Sequence, residues 1–279
     1  MFPSRDMERF YKVYPWSEDP ESAKRRIEHG VDLFRKAVEH EWLSHLVKRR
    51  RVKILDLMGG TGIGAIALAL ALKETGVESD ITIADLRESA LRIAEEYAKE
   101  YLGITVETVV APAEDFAGTL ACPKDIILIH GYSLPHLDPY RFVRMSANMA
   151  ACLNYDGVVM IQELDRVYNI FYLIGYKDVL VEKATEDHLV VSYHSGYDYR
   201  LGMFKRLIVN QDTGERIIGL MRFWDIAGLA GILWSFFEDV DFLPFDRPGV
   251  GFLMATRPRK MRPEEYSVMP RIVSNVDPS

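Results

Sequence analysis

From residue 52 to residue 130 the chain alternates between short apolar runs and longer segments whose apolar residues recur at helical spacing. The short runs are VKILDL, ITIADL, TVETVV and DIILIH, and the first two helical segments are IGAIALALALKETG and ESALRIAEEYAKEYLG. Strands that alternate with helices pair in parallel, and the helices cover both faces of the sheet. The pattern therefore predicts a three-layer α/β fold.

The segments on either side of this region predict additions to the sheet. The first 50 residues carry apolar residues at helical spacing and predict an N-terminal helical cap. Helices are also predicted over residues 140–153 and 226–237, and the strand VVMIQEL follows the first of them. The runs DVDFLPF and VGFLMAT are separated by four residues and predict an antiparallel hairpin at the sheet edge. The sheet should thus be mostly parallel with a reversed last strand.

Residues 166–224 interrupt the alternation and are not needed to complete the sheet. Two long strands are predicted there, over residues 189–209 and 215–223, joined at the turn NQDTG. We interpret this region as an inserted β-hairpin that binds substrate or forms a lid. The predicted organisation is a cap over residues 1–50, a core formed by residues 51–165 and 225–258, the insertion 166–224, and a loose tail over residues 259–279.

Composition excludes several classes of function. The net charge of −7 argues against a general nucleic-acid binder, which needs a basic surface. No apolar run reaches the length of about 20 residues that a membrane-spanning helix needs, and the first residues lack a secretory signal. We therefore expect a cytoplasmic protein. Cys122 and Cys152 are too few for a disulfide framework and are expected to be buried small apolar residues. The scarcity of glutamine beside abundant Glu, Lys and Arg hints at a thermophilic source.

The turn DLMGGTGIG, residues 56–64, lies between the first strand and the first core helix. Its glycines allow the backbone to turn tightly and approach a ligand, and the helix start presents free N–H groups. Asp85 ends the second strand, where a carboxylate can accept hydrogen bonds from both hydroxyls of a ribose. Asp85 could instead cap a helix. Together, the turn and Asp85 predict an adenosine-containing ligand.

Asp56 bears on which nucleoside binds. The turn also satisfies a looser dinucleotide pattern, so a nicotinamide cofactor is an alternative. An ionised Asp56 would repel a pyrophosphate but would favour the cationic amino end of S-adenosylmethionine. The charge therefore favours the methyl donor.

The turn and the order of elements resemble the class I S-adenosylmethionine-dependent methyltransferases from about residue 52 to residue 256. Gly60 and Gly62 match the second and third of the family's three alternating glycines, and Met58 stands at the place of the first. The resemblance implies a Rossmann-like fold and S-adenosylmethionine as cofactor. It also implies a cofactor site, in which Asp56 lies near the methionine moiety, Asp85 at the ribose and Leu86 against adenine, with Met58, Gly59, Gly60, Gly62 and His130 beside them.

After the third strand, the family often has an acid that meets the adenine amino group. Pro112 stands at the commonest position for that acid, so Glu114 or Asp115 would have to substitute. The loop after the fourth strand resembles the segment beside the reactive sulfonium and supplies the candidate catalytic residues His130, Tyr132 and His136.

Methyl transfer from a sulfonium mainly requires a well-placed acceptor atom and exclusion of water. A general base is needed only for a hydroxyl, a carbon acid or a protonated amine. His130 and His136 are candidate bases, with hydrogen-bonded structural histidines as the alternative. Tyr132 could contact the donor or simply pack. A metal held by His130, Glu163 and Asp165 lacks corroborating ligand spacing, and no metal is predicted.

The aromatic-rich segments 10–16 and 193–204 are expected to form a lid, with ordinary packing as the alternative. If they cover the site, Tyr14, Trp16, Tyr197, Tyr199 and Arg200 would enclose a pocket suited to a small-molecule acceptor. The alternatives are a protein or RNA methyltransferase, a nicotinamide-dependent oxidoreductase and a non-catalytic module of the same fold. Nucleic acid is the less favoured partner, and a homodimer is left open.

Overall fold

The computed structural model describes residues 4–14, 19–186 and 188–274. The strands are β1 Arg51–Leu57, β2 Glu78–Asp85, β3 Glu107–Val110, β4 Lys124–Ile129, β5 Leu153–Leu164, β6 Val179–Ala184, β7 Leu189–Asp198, β8 Met203–Asn210, β9 Arg216–Met221, β10 Phe237–Pro244 and β11 Val250–Pro258. The α-helices are α1 Ser4–Val13, α2 Pro20–Ala37, α3 Glu41–Ser44, α4 Ile63–Glu74, α5 Glu88–Leu102, α6 Pro139–Cys152, α7 Ile226–Phe236 and α8 Arg271–Ser274. Short 3₁₀ segments lie at Leu46–Lys48, Leu134–His136 and Pro263–Tyr266, and a π-helix spans Val167–Ile174.

Seven strands form the main sheet in the order β10-β11-β5-β4-β1-β2-β3. Strands β1 to β5 are parallel, and β11 is antiparallel to both β5 and β10. The mostly parallel α/β sheet with a reversed last strand is thus confirmed. Apolar side chains of α2, α4 and α5 pack on one face, while those of α6 and α7 pack on the other.

The strand ends place the functional region. In parallel α/β sheets, ligands bind beyond the carboxyl ends of the strands, where the order of the strands reverses. Here β1 lies between β2 and β4, so the connections after these three strands meet at one edge. Helix α2 packs closely on α4, since a Cβ on Gly30 would lie 2.8 Å from Ala67 Cβ.

The insertion is a separate antiparallel sheet with the order β6-β7-β8-β9. The predicted long strand over residues 189–209 is wrong, because β7 and β8 form a hairpin within it. Asp198 ends β7, and its side chain accepts hydrogen bonds from the backbone N–H groups of Arg200 and Leu201. Gly202 completes the turn at φ +63°. These contacts reverse the direction of the chain within a segment whose apolar pattern predicts one continuous strand.

The expectation for the cysteines is also wrong, because Cys122 and Cys152 form a disulfide, and Cys122 is exposed. Lys124 at the start of β4 pairs with Leu153, so the parallel pairing of β4 and β5 brings the two cysteines together across 30 residues of sequence. Among the helices that the structure describes, none is both long and apolar enough to span a membrane.

Candidate active site

The turn after β1 holds three residues in the left-handed region, Met58 at φ 57°, Gly60 at φ 53° and Gly62 at φ 73°. Met58 therefore keeps the backbone shape expected of the glycine it replaces. A side chain in this region costs about 1–2 kcal/mol.

The other glycines of the turn allow close packing. A Cβ on Gly62 would lie 2.8 Å from Ile83 Cδ1, and a Cβ on Gly64 would lie 2.6 Å from His130 Cβ. Gly62 thus seats the turn against β2, and Gly64 lets the start of α4 approach the end of β4. Gly62, which was predicted to contact the cofactor, is not among the residues that line the cavities described below.

Asp85 lies at the end of β2 and faces the turn. One carboxylate oxygen accepts a hydrogen bond from Gly60 N at 2.8 Å, and the other accepts one from Arg87 N at 2.8 Å. The Arg87 guanidinium lies 3.7 Å from the carboxylate and 3.9 Å from the ring centre of Tyr11 on α1. Burial raises the pKa of Asp85, while the charge of Arg87 opposes that shift.

Asp56 is fully buried beneath the turn. One of its oxygens accepts a hydrogen bond from Ala65 N at 3.0 Å, and the other has no partner among the described residues. Burial raises the pKa of Asp56 to about 7. The side chain lines neither of the cavities described below, so the expected effect on a cationic ligand would act through its charge and not through direct contact.

Two adjoining cavities extend from the turn. The first has a volume of about 210 Å³ and lies between Gly59, Gly60 and Gly64 on one wall and residues of α1 and the inserted sheet on the other. The second has a volume of about 300 Å³ and is lined by Leu86 and the segment 110–114. Both are bordered by the same six residues, Tyr11, Met58, Asp85, Arg87, Ser133 and His136. The two cavities therefore form one elongated site.

The second cavity distinguishes between the two acids proposed to meet adenine. Glu114 is buried in its wall, 3.7 Å from the guanidinium of Arg141. Asp115 is exposed and pairs with Arg144 at 2.8 Å. Leu86 lies in the same wall as Glu114. The structure thus places Glu114 and Leu86 together at one end of the site and directs Asp115 away from it.

The three candidate catalytic residues, His130, Tyr132 and His136, all line the first cavity. Burial lowers the pKa of His130 to about 3 and the pKa of His136 to about 4, and nearby arginines contribute to both shifts. Both imidazoles are therefore uncharged at neutral pH. An uncharged ring can lie beside a cationic sulfonium without repulsion, but it is a weak base.

The loop that carries these residues has a strained backbone, which hydrogen bonds with a neighbouring strand hold in place. Gly131 has φ 87° and Tyr132 has φ 60°, two successive residues in the left-handed region. Buried Gln162 of β5 accepts a hydrogen bond from Gly131 N at 2.9 Å and donates to the Tyr132 hydroxyl at 3.4 Å. Such backbone conformations persist where neighbouring contacts hold them, often at functional sites.

The residues proposed for the acceptor differ in placement. Tyr14 lines the first cavity, whereas Trp16 lies outside the described residues. Tyr197, Tyr199 and Arg200 lie at the β7–β8 hairpin and are not part of the described cavity walls, contrary to expectation. Tyr197 packs on Phe204 at 4.8 Å between ring centres, and Tyr199 is 78% exposed. Aromatic content indicated a binding surface, but strand pairing determines which residues face the core.

Other lining residues went unrecognised in the sequence. Arg87 could have been identified from the sequence, because it lies two residues after Asp85. Thr61, Ile63 and Gly64 lie in the recognised turn, and Ser133 and Pro135 lie in the recognised loop after β4. The remaining lining residues carry no local signal, because distant segments bring them to the site; they are Phe10, Tyr11, Arg26, Arg166, Glu182 and Met221.

Glu163 belongs to a different arrangement from the metal site considered above. It is buried and pairs with Arg166 at 3.2 Å, and burial raises its pKa. No group of three or more His, Cys, Asp or Glu side chains suited to a metal occurs in the part of the chain that the structure describes.

Comparisons with known proteins agree with this geometry. A family model described as a methyltransferase domain matches residues 54–157. The fold is similar to an S-adenosylmethionine-dependent methyltransferase from Clostridium acetobutylicum, at 13% identity and a TM-score of 0.59, over 90% of this chain and 96% of that one. A comparison with curated protein sequences gives no match.

Two further solved structures are similar in fold. One is a sugar N-methyltransferase from Streptoalloteichus, at 15% identity and a TM-score of 0.59, over 91% of this chain and 93% of that one. The other is an amino pentose methyltransferase from Micromonospora echinaspora with bound S-adenosylmethionine, at 15% identity and a TM-score of 0.54, over 90% of this chain and 96% of that one.

Residues 54–157 therefore contain a methyltransferase domain, and the fold and the site agree with a class I S-adenosylmethionine-dependent methyltransferase. The chain is accordingly an enzyme, and S-adenosylmethionine is its cofactor.

Proposed function

We propose that the enzyme methylates a small-molecule acceptor held in the first cavity. The observation that carries this proposal is that residues of α1 and the inserted sheet line one cavity together with the glycine turn. Glu8 of α1 hydrogen-bonds to Ser89 Oγ at 2.7 Å, and Asn210 of β8 donates to Val13 O at 3.3 Å. A covered cavity of about 210 Å³ suits a small molecule better than a folded macromolecule.

The residues present fit the cofactor. Asp85 would hold the ribose hydroxyls, while Leu86 and Glu114 would hold the adenine in the second cavity. Gly60 leaves space beside Asp85, and Arg26 of α2 brings a positive charge to the first cavity, where a carboxylate of the methionine moiety would be favoured. When bound, S-adenosylmethionine supplies a methyl group already activated by its positive sulfur.

The protein's own contribution would be placement and exclusion of water. Phe10, Tyr14 and Met221 supply an apolar cover, and Tyr132 and His136 border the space between cover and turn. His130 and His136 would stay uncharged beside the sulfonium, because burial holds their pKa values low. A buried site of this kind favours a reacting pair held in line over attack by water.

The test separates small from macromolecular acceptors. Protein and S-adenosylmethionine with a labelled methyl group are incubated with a cell extract divided by ultrafiltration into low- and high-mass fractions. We expect label in the low-mass fraction, and none with the Gly60→Val variant. Transfer confined to protein or RNA in the high-mass fraction would contradict the proposal and favour the macromolecular alternative. A cytoplasmic location, a thermophilic source and a homodimer stay predictions.

A further inference from the structure

The inserted sheet brings one carboxylate, Glu182 of β6, into the first cavity. One of its oxygens accepts a hydrogen bond from Ser192 Oγ. The nearest ion pair is to Arg206 Nε at 4.0 Å. Arg206 donates its shorter hydrogen bonds elsewhere, to Ser192, Tyr176 and Lys177 within the insertion. Glu182 is therefore anchored, and its negative charge is only weakly compensated.

Aromatic rings of α1 lie in the same wall. The rings of Phe10 and Tyr14 stack with centres 6.0 Å apart. Tyr14 and Glu182 both line the cavity, and burial, reinforced by the charge of Glu182, raises the pKa of Tyr14. Aromatic faces beside a carboxylate form a surface that attracts an organic cation.

The positive side chains of the cavity are associated with other groups. Arg87 lies against Asp85 and Tyr11, and Arg166 pairs with Glu163 at 3.2 Å. Arg26 comes from α2, and its charge contributes to the lowered pKa of His130. Among the described residues that line this cavity, the acidic ones are Asp85, beside the glycine turn, and Glu182 of the inserted sheet.

We propose that the acceptor is an amine, and that Glu182, Phe10 and Tyr14 bind its ammonium form. This inference rests on the proposed function and narrows it to a class of substrate. It assigns Glu182 as the specificity-determining residue that the insertion contributes.

Methyl transfer requires the free amine. An ammonium has no lone pair, so it must lose a proton to water before attack. Glu182 and the aromatic rings position the nitrogen, whose lone pair forms the N–C bond as the C–S bond breaks. The bonding pair stays on sulfur, and the positive charge passes to the methylated nitrogen.

Binding to the protein saturated with S-adenosylhomocysteine tests the inference without turnover. The probes are cyclohexylamine, cyclohexanol and cyclohexanecarboxylate, measured by calorimetry at neutral pH. We expect the amine to bind about tenfold or more tightly than the alcohol, as a hydrogen bond to a charged partner implies. Glu182→Gln should remove that preference, Glu182→Asp should restore part of it, and the exposed Glu186→Gln should keep it.

Each other outcome has a defined meaning. No binding of the amine, tighter binding of the alcohol or the carboxylate, or an unchanged preference in Glu182→Gln would overturn the amine assignment. S-adenosylhomocysteine should bind to all variants with equal affinity. If it did not bind to the wild-type protein, that result would instead refute the proposed function. Once an amine that the enzyme methylates has been identified, Glu182→Gln should raise the KM for that amine more than it lowers kcat.

Discussion

Replacing Asp85 by Asn tests the centre of the cofactor site. The carboxylate accepts hydrogen bonds from Gly60 N and Arg87 N and lies beside the Arg87 guanidinium. An amide of the same shape turns one of its two acceptor oxygens into a donor and removes the negative charge that lies 3.7 Å from the Arg87 guanidinium. The turn should remain formed, because its other hydrogen bonds, Gly59 N to Ala84 O and Gly62 N to Gly59 O, are unchanged.

The size of the effect follows from the hydrogen bond between the ribose and the carboxylate. A hydrogen bond to a charged group contributes about 1.5–3 kcal/mol, so its removal should weaken binding by about 10-fold to 150-fold. The wild-type protein should prefer S-adenosylhomocysteine over its 2′-deoxy analogue. Asp85→Asn should bind both with nearly equal affinity, because the group that distinguishes them is gone.

Titration calorimetry with the two ligands measures the four affinities of this cycle. Asp80→Asn is the matched control, since Asp80 is exposed at the opposite end of β2 and pairs only with Arg51 at 3.3 Å among the described residues. The control should bind like the wild type. If Asp85→Asn kept the full preference for the ribose form, the assignment of Asp85 to the ribose would be wrong.

Three further predictions address the turn, the buried acid and the disulfide. Gly60→Val should abolish binding of S-adenosylmethionine while the circular dichroism spectrum stays native. Gly60 has φ 53°, and a Cβ there would lie 3.1 Å from Arg87 Nη2. Unchanged calorimetric affinity would refute this prediction. The folded-state pKa of Asp56 is raised to about 7 from 3.8, so its contribution to stability is present below about pH 4 and is lost as the pH rises to 7. Asp56→Asn should therefore gain stability relative to the wild type between about pH 5 and pH 7.5 in urea unfolding of the ligand-free protein, and a pH-independent difference would contradict the shift. Cys122→Ser should lower the free energy of unfolding by about 2–4 kcal/mol, since the bond closes a loop with a sequence separation of 30; two free thiols in the unreduced, unfolded wild type would show that the bond does not form.

The parallel core could be predicted because each of its strands and helices is specified by residues close together in the sequence. Each strand of the core is a continuous apolar run, and each helix repeats its apolar residues every three to four positions. The glycine turn and Asp85 follow from the same locality, since a turn between a strand and a helix must adopt one of few shapes. Parallel pairing then places the ends of β1, β2 and β4 together without further information.

The insertion shows the limit of that reasoning. Its aromatic content drew attention to Tyr197 and Tyr199, yet both lie at the hairpin formed around Asp198 and Gly202, and neither lines the cavity. Glu182 is one charged residue in a short strand and has no distinguishing neighbours in the sequence.

The acceptor side of the site depends on contacts between segments far apart in the chain. Helix α1 meets the inserted sheet through Asn210 and Val13, and helix α5 through Glu8 and Ser89. The pairing of Cys122 with Cys152 likewise depends on the meeting of β4 and β5. Local pattern specifies which elements form, because hydrophobic periodicity and turn chemistry act over a few residues. The residues that face the acceptor are specified by packing between elements, an interaction that no short window of sequence contains.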